Sequence, residues 1–149
     1  MRILPIIVMI AAGSFISLQG PVNLRLRQAT ESPVLSAAIS FFTGALILLA
    51  IAAAGGFGGF GAGLRGLSTA PWWAYLGGAL GITFVLGSIL SIPIAGTVVV
   101  ICSGILGQMV GSMLVDSFGW FGVARIAPTP TRVLGVIFVF AGVLLVQKR

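Results

Sequence analysis

The chain has 149 residues, of which 58% are hydrophobic and 7% are charged, and its net charge is +6. A soluble domain carries about 25% charged residues, so this composition excludes a water-soluble globular protein and predicts an integral membrane protein. The basic residues are scattered at the ends of apolar segments. That pattern is typical of membrane topology and head-group anchoring and argues against a nucleic-acid partner.

Five apolar segments follow one another along the sequence, each long enough to cross the lipid bilayer as an α-helix. The predicted spans cover about residues 3–26, 33–54, 71–92, 94–115 and 131–147. The first span follows Arg2, as the core of a signal peptide would, but its length and the later spans predict that it is retained. The expected fold is an all-α integral membrane protein, with five transmembrane helices in a single transmembrane domain, residues 1–149.

Local signals indicate where spans begin and how they connect. Ser32 is a candidate N-cap, and Pro33 suits the first position of the second helix. The aromatic residues of Trp72–Tyr75 are typical of an interfacial belt. The stretch 55–63 contains a G-x-G-x-x-G match without a preceding strand, so we expect a flexible connector rather than a phosphate loop. The very short link between the third and fourth spans predicts antiparallel neighbours.

Small residues recur in the third and fourth spans at a spacing that lets helices approach closely. The predicted packing positions are Gly77 and Gly81 in the third span and Gly104, Gly107 and Gly111 in the fourth. These glycines predict helix–helix contacts rather than a ligand site.

Two amides interrupt the apolar character of the first span. Gln19 and Asn23 are four residues apart and share a helix face. Gly20 and Pro21 lie between them, and Pro21 leaves the carbonyl of Ser17 without its helical donor. A kinked helix with two amides predicts a small-molecule binding site, because an amide in hydrocarbon must find a partner or face a cavity. The alternative is that both amides bond across helices and stabilise packing.

Four further residues are candidates for the same substrate site. Gln108 lies beside the glycines of the fourth span, and Asp116 closes that span. Asp116 is either a binding residue or a solvated interface residue, paired in that case with Arg125. Phe15 and Phe41 could each form an aromatic wall, although packing against lipid or protein is the simpler role.

The residue types that support catalysis and metal binding are scarce. The sequence has no histidine, one cysteine (Cys102) and two acidic residues. This composition provides no nucleophile, base and acid together and no Cys/His metal site, so we expect neither an enzyme nor a bound cofactor or metal.

The positive charges do not select an orientation. The predicted spans place Arg2, Arg65, Arg125 and Arg132 on the N-terminal side and Arg25, Arg27, Lys148 and Arg149 on the other. The two sets are equal, and orientation follows the excess of Lys and Arg on one side. The tie predicts insertion in both orientations, unless one charge near the N-terminus dominates.

An ordered set of short motifs resembles a known family. The set comprises Gln19-Gly-Pro-Val-Asn23 followed by Leu24-Arg25, Ser40-Phe41 with Gly44, Trp72-Trp73 with Gly77-Gly78, Gly107-Gln108, Asp116-x-Phe118-Gly119, and Gly135 to Gly142. In this order the motifs resemble the half-size, five-helix YdcZ-like members of the drug/metabolite transporter superfamily, which are related to EamA-type transporters. The resemblance covers nearly the whole chain.

The resemblance implies half of an inverted-repeat transporter fold. Such a half needs an antiparallel partner, either a second copy or a homologous half-size chain, and its substrate site lies near the midplane at broken helices. It also implies a bacterial inner membrane and a secondary transporter that moves a small polar or amphipathic metabolite by alternating access. No acidic residue lies in the middle of a span, which argues against the proton-coupled drug exchange of small multidrug resistance proteins. The alternative is an accessory membrane subunit or one half of a heterodimeric transporter.

Overall fold

The structure, a computed structural model, describes residues 3–148. This range contains six α-helices: α1 (Ile3–Thr30), α2 (Pro33–Ala53), α3 (Gly59–Leu67), α4 (Gly77–Ala95), α5 (Thr97–Phe118) and α6 (Pro130–Gln147). Short 3₁₀ turns occupy Gly56–Gly58, Trp72–Leu76 and Trp120–Gly122. Arg2 and Arg149, which contribute to the charge tie, lie outside the described residues.

Five of these elements are long and apolar enough to span a bilayer, which confirms the predicted all-α membrane fold. The 3₁₀ turn at Trp72 and α4 together form the third span, Trp72–Ala95. The first span ends at Thr30 rather than near residue 26, and the fourth ends at Phe118 rather than near residue 115. The chain divides into two compact units, Met1–Leu90 and Ser91–Arg149.

Side-chain caps fix the start of two spanning helices. The Ser32 hydroxyl accepts a hydrogen bond from the backbone N–H of Leu35 at 3.1 Å, and Pro33 is the first residue of α2, as predicted. Thr129 plays the same part for α6, where Pro130 follows it. Both helices therefore begin where a capping hydroxyl is followed by a proline at the first helical position.

The first unit contains α1, α2 and α4 up to Leu90, and a small apolar core lies between α2 and α4. α1 and α2 are joined by two residues and pack against each other. Ala37 of α2 and Val85 and Ile89 of α4 form the buried cluster. Many large apolar side chains outside this cluster are exposed in the isolated chain, as expected of surfaces that face lipid.

The glycine-rich connector, residues 55–63, is predicted from the sequence to be flexible, but the helix α3 begins within it. Its apolar side chains Phe60, Leu64 and Leu67 recur at helical spacing and line, with residues of α2 such as Leu48, a cavity of about 490 Å³. The Tyr75 hydroxyl donates a hydrogen bond to the Leu67 carbonyl and holds the end of α3. Packing on α2 thus outweighs the low helix propensity of glycine.

The second unit contains the last residues of α4 from Ser91, then α5, α6 and the loop between them. Gly96 alone separates α4 from α5, and its φ of 84° is a conformation that favours glycine. The α5–α6 loop is fastened to the end of α5: the Ile126 N–H donates to the Asp116 carbonyl at 2.8 Å, and Arg125 Nε donates to the Ser117 carbonyl at 2.9 Å. The antiparallel arrangement of the third and fourth spans stays a prediction.

Candidate substrate site in the first unit

One face of α1 carries polar residues into the interior of the first unit. Gly20, Asn23 and Arg27 are spaced three and four residues apart, so they lie on the same side of the helix. Gly20 is buried, Asn23 is only 3% exposed, and Arg27 is half-buried. This face contacts α2 through Ser36 and α4 through Ile89.

The Asn23 side chain is enclosed but not fully hydrogen-bonded. Its Nδ2 atom is buried and has no partner among the described residues. The Ser36 hydroxyl, itself fully buried, donates to the backbone carbonyl of Asn23 at 2.6 Å and not to its side chain. A buried donor without an acceptor costs about 1–3 kcal/mol.

Arg27 replaces a missing backbone donor in α4. In a regular helix the N–H of residue 93 would donate to the carbonyl of Ile89, but Pro93 has no N–H and lies inside α4. Arg27 Nη1 instead donates to the Ile89 carbonyl at 3.0 Å. The guanidinium therefore supplies a donor in place of the N–H that Pro93 lacks, and it connects α1 to α4.

The other predicted site residues of the first unit differ in burial and in the helix that carries them. Gln19 is half-buried one turn before Asn23, whereas Phe15 is 75% exposed. Phe41 lies on α2, and its ring is 3.4 Å from the position of a Cβ on Gly81. The helix α1 continues through Gly20 and Pro21 to Thr30, so it is not interrupted there, and the kink stays a prediction.

Gln108 and Asp116 belong to the second unit. Gln108 is exposed on α5. Asp116 Oδ2 pairs with Arg132 Nη1 at 3.1 Å, so the expected pairing with Arg125 is wrong: the Arg125 side chain is used to hold the loop. The pair lines an open cavity of about 310 Å³ between α5 and α6, together with Met109, Ser112, Met113, Gly135 and Val136.

The glycines predicted to pack helices fall into two groups. A Cβ added at Gly81 would lie 3.4 Å from the Phe41 ring, so this glycine is close to α2 inside the first unit. A side chain at Gly77, Gly107 or Gly111 would meet open space in the described chain, and Gly104 is half-buried. Packing at these other glycines stays a prediction.

Comparison with known proteins agrees with this architecture. The model of the family described as "Putative inner membrane exporter, YdcZ" matches residues 4–145. The chain belongs to the YdcZ family. It is also 27% identical over 147 residues to "Inner membrane protein YdcZ" of Escherichia coli strain K12, an alignment that covers 95% of this chain and 93% of the relative. No solved structure matches the chain.

Membership of the YdcZ family confirms the resemblance seen in the sequence and makes this protein a membrane transporter. The similarity to an inner membrane protein and the five apolar helices place it in the inner membrane as a multi-pass protein. From the sequence alone, Arg27 is only a topology charge, and no pattern singles out Ser36. Two signals could have revealed Arg27: its spacing of four from Asn23, and Pro93 directly after the predicted third span.

Proposed function

We propose that this chain is a half-size secondary transporter that works as an antiparallel homodimer. It exports a small polar or amphipathic metabolite by alternating access, the outward direction following the description of its family as an exporter. The observation that carries the proposal is the buried Nδ2 of Asn23, which has no partner among the described residues and lies on the face of α1 that bonds to α2 and α4. Gln19, half-buried one turn away, extends the polar surface of the site.

A packing role explains the Asn23 amide less well. An amide that only stabilised helix packing would have its partner inside the protein, and Nδ2 has none among the described residues. Backbone beside proline-containing segments is also a common component of transporter sites, because it supplies unpaired carbonyls. Pro21 in α1 lacks the N–H that would pair the Ser17 carbonyl, and Pro93 in α4 lacks the one for Ile89, which Arg27 replaces.

The exposed amide of Gln108 supports a dimer. Gln108 lies in the middle of α5, a spanning helix with no buried residue in the described chain. In hydrocarbon this amide needs a partner, and the open space beside Gly107 and Gly111 lets a second helix approach closely. A second copy in the opposite orientation would supply that helix and rebuild the inverted repeat.

Cysteine cross-linking along α5 tests the dimer and its direction. In a Cys102→Ser background, Gly104→Cys and Ser112→Cys place thiols one turn before and one turn after Gln108. Two antiparallel α5 helices that cross at Gln108 bring position 104 of one copy to position 112 of the other. We expect differently tagged chains to cross-link as 104–112 pairs. Cross-links only between identical positions would indicate a parallel dimer, and no cross-links would exclude this face as the interface.

Labelling of whole cells tests dual orientation. Ser68→Cys and Lys148→Cys, again without Cys102, lie in exposed segments that five spans put on opposite sides. Dual insertion predicts that an impermeant maleimide labels about half of the copies at each position. Full labelling at one position and none at the other would mean a fixed orientation, and would favour a heterodimer or an accessory subunit instead.

A further inference from the structure

The site around Asn23 contains a surplus of hydrogen-bond donors. The Arg27 guanidinium carries five N–H groups, and its contact in the described chain is one bond to the Ile89 carbonyl. Asn23 Nδ2 adds two N–H groups without a partner in residues 3–148. Glu31, the acidic residue that directly follows α1, is exposed and forms no ion pair in the described structure. The positive charge of Arg27 is therefore not balanced locally.

From this surplus we infer that the cargo carries a carboxylate, which the Arg27 guanidinium and the Asn23 amide bind together. The inference rests on the proposed transport function and specifies its substrate class. The two side chains project from the same face of α1, with Cβ atoms about 6 Å apart as expected for residues four apart in a helix. A guanidinium presents paired N–H groups that match the two oxygens of a carboxylate.

Binding of the carboxylate exchanges one hydrogen bond for a stronger one. Arg27 now donates to the neutral carbonyl of Ile89, whereas a carboxylate offers two oxygens to the guanidinium fork and an opposite charge. The anion therefore competes for the Arg27 guanidinium. Release of the Ile89 carbonyl frees the turn of α4 that Pro93 has already weakened. The same residue thus recognises the cargo and controls a bendable turn.

A lipid phosphate is the other oxyanion that an arginine near a helix end could bind. The positions of the two α1 arginines favour the solute. Arg25 is exposed and bonds Gln28 on its own helix surface, as a head-group anchor would, whereas Arg27 is half-buried and bonds into α4. The partner amide of Asn23 is only 3% exposed, too enclosed to serve a head group at the membrane surface.

Equilibrium binding to the full-length protein in phosphatidylcholine nanodiscs tests the inference. The probes are radiolabelled acetate, benzoate, phenylacetate, glutarate and glutamate, each compared with its neutral amide, and benzylamine serves as the cationic control. The variants are Arg27→Met, the double variant Arg27→Met with Pro93→Ala, and Arg25→Met as the matched control. Pro93→Ala restores a backbone donor for the Ile89 carbonyl, so the double variant repairs the helix without restoring the guanidinium.

We expect at least one carboxylate to bind about tenfold or more tightly than its amide, since bonds to charged groups are the stronger ones. Arg27→Met and the double variant should both abolish this preference, and Arg25→Met should keep it. Rescue by Pro93→Ala would overturn the inference, because Arg27 would then act only on α4. Binding of no carboxylate would also overturn it, as would loss of co-purified phosphatidylglycerol from Arg27→Met alone, which would assign Arg27 to lipid.

The failure of this inference differs from the failure of the transporter proposal. If an amide or benzylamine binds instead, and Asn23→Ala abolishes that binding, the substrate site stands and only the carboxylate is wrong. If the 104–112 cross-link is absent and labelling shows one orientation, the antiparallel dimer itself is wrong, whatever the ligand.

Discussion

Replacing Arg27 with methionine should destabilise the protein through the Ile89 carbonyl and not merely through a lost charge. Ile89 is fully buried, and Arg27 Nη1 supplies its carbonyl with the donor that Pro93 lacks. Leaving a buried carbonyl unpaired costs about 1–3 kcal/mol, and measured side-chain hydrogen bonds in membrane proteins are about 0.6–1.7 kcal/mol. We therefore expect Arg27→Met to lower the free energy of unfolding by about 1–2 kcal/mol.

A double-mutant cycle isolates this contribution. In the Pro93→Ala background the N–H of residue 93 can bond to the Ile89 carbonyl directly, so Arg27→Met should cost much less. The free energies of unfolding can be measured for all four chains by titration with sodium dodecyl sulfate in mixed micelles. We expect a coupling energy of about 1 kcal/mol, and additivity within about 0.3–0.5 kcal/mol would refute the reasoning. Arg25→Met, whose arginine bonds only within α1, controls for the loss of charge.

Three smaller perturbations test other contacts. Gly81→Leu should lower the thermal midpoint in detergent by displacing the Phe41 ring, at a cost of about 1–3 kcal/mol, and Gly81→Ala should cost less because its Cβ would sit 3.4 Å from that ring. Asp116→Asn should change stability by less than about 1 kcal/mol, since both partners in its pair with Arg132 are partly exposed. A larger loss would show that this pair is shielded in the dimer. Glu31→Gly should raise the midpoint, because Glu31 has a φ of 54° that glycine adopts without strain; a lower midpoint would mean that the acidic group stabilises the turn.

The elements that the sequence predicted well depend on neighbouring residues. The apolar spans and the Ser32 cap follow from composition and from contacts over a few positions. The connector was missed because glycine suggests irregular structure, whereas α3 is stabilised by apolar contacts with α2. Helix propensity is a weak predictor of local structure where tertiary packing determines that structure.

The candidate site could be predicted only in part. Asn23 was identified because an amide in an apolar span needs a partner, and its burial agrees with that argument. The role of Arg27 depends on a carbonyl that is 62 residues away in the sequence. No local pattern links the two, although Pro93 indicates that a carbonyl in α4 lacks its donor.

The long sequence separation between Arg27 and Ile89 also sets an order of events during synthesis. A ribosome adds roughly 5–20 residues per second, so α1 waits several seconds before the Ile89 carbonyl exists. Meanwhile Arg27, close to the end of α1 at Thr30, keeps its charge at the level of the lipid head groups. We therefore expect the first helix to keep Arg27 at its water-facing end until α4 is synthesised. The first unit can complete its packing only after α4 is made and its Ile89 carbonyl accepts the Arg27 hydrogen bond.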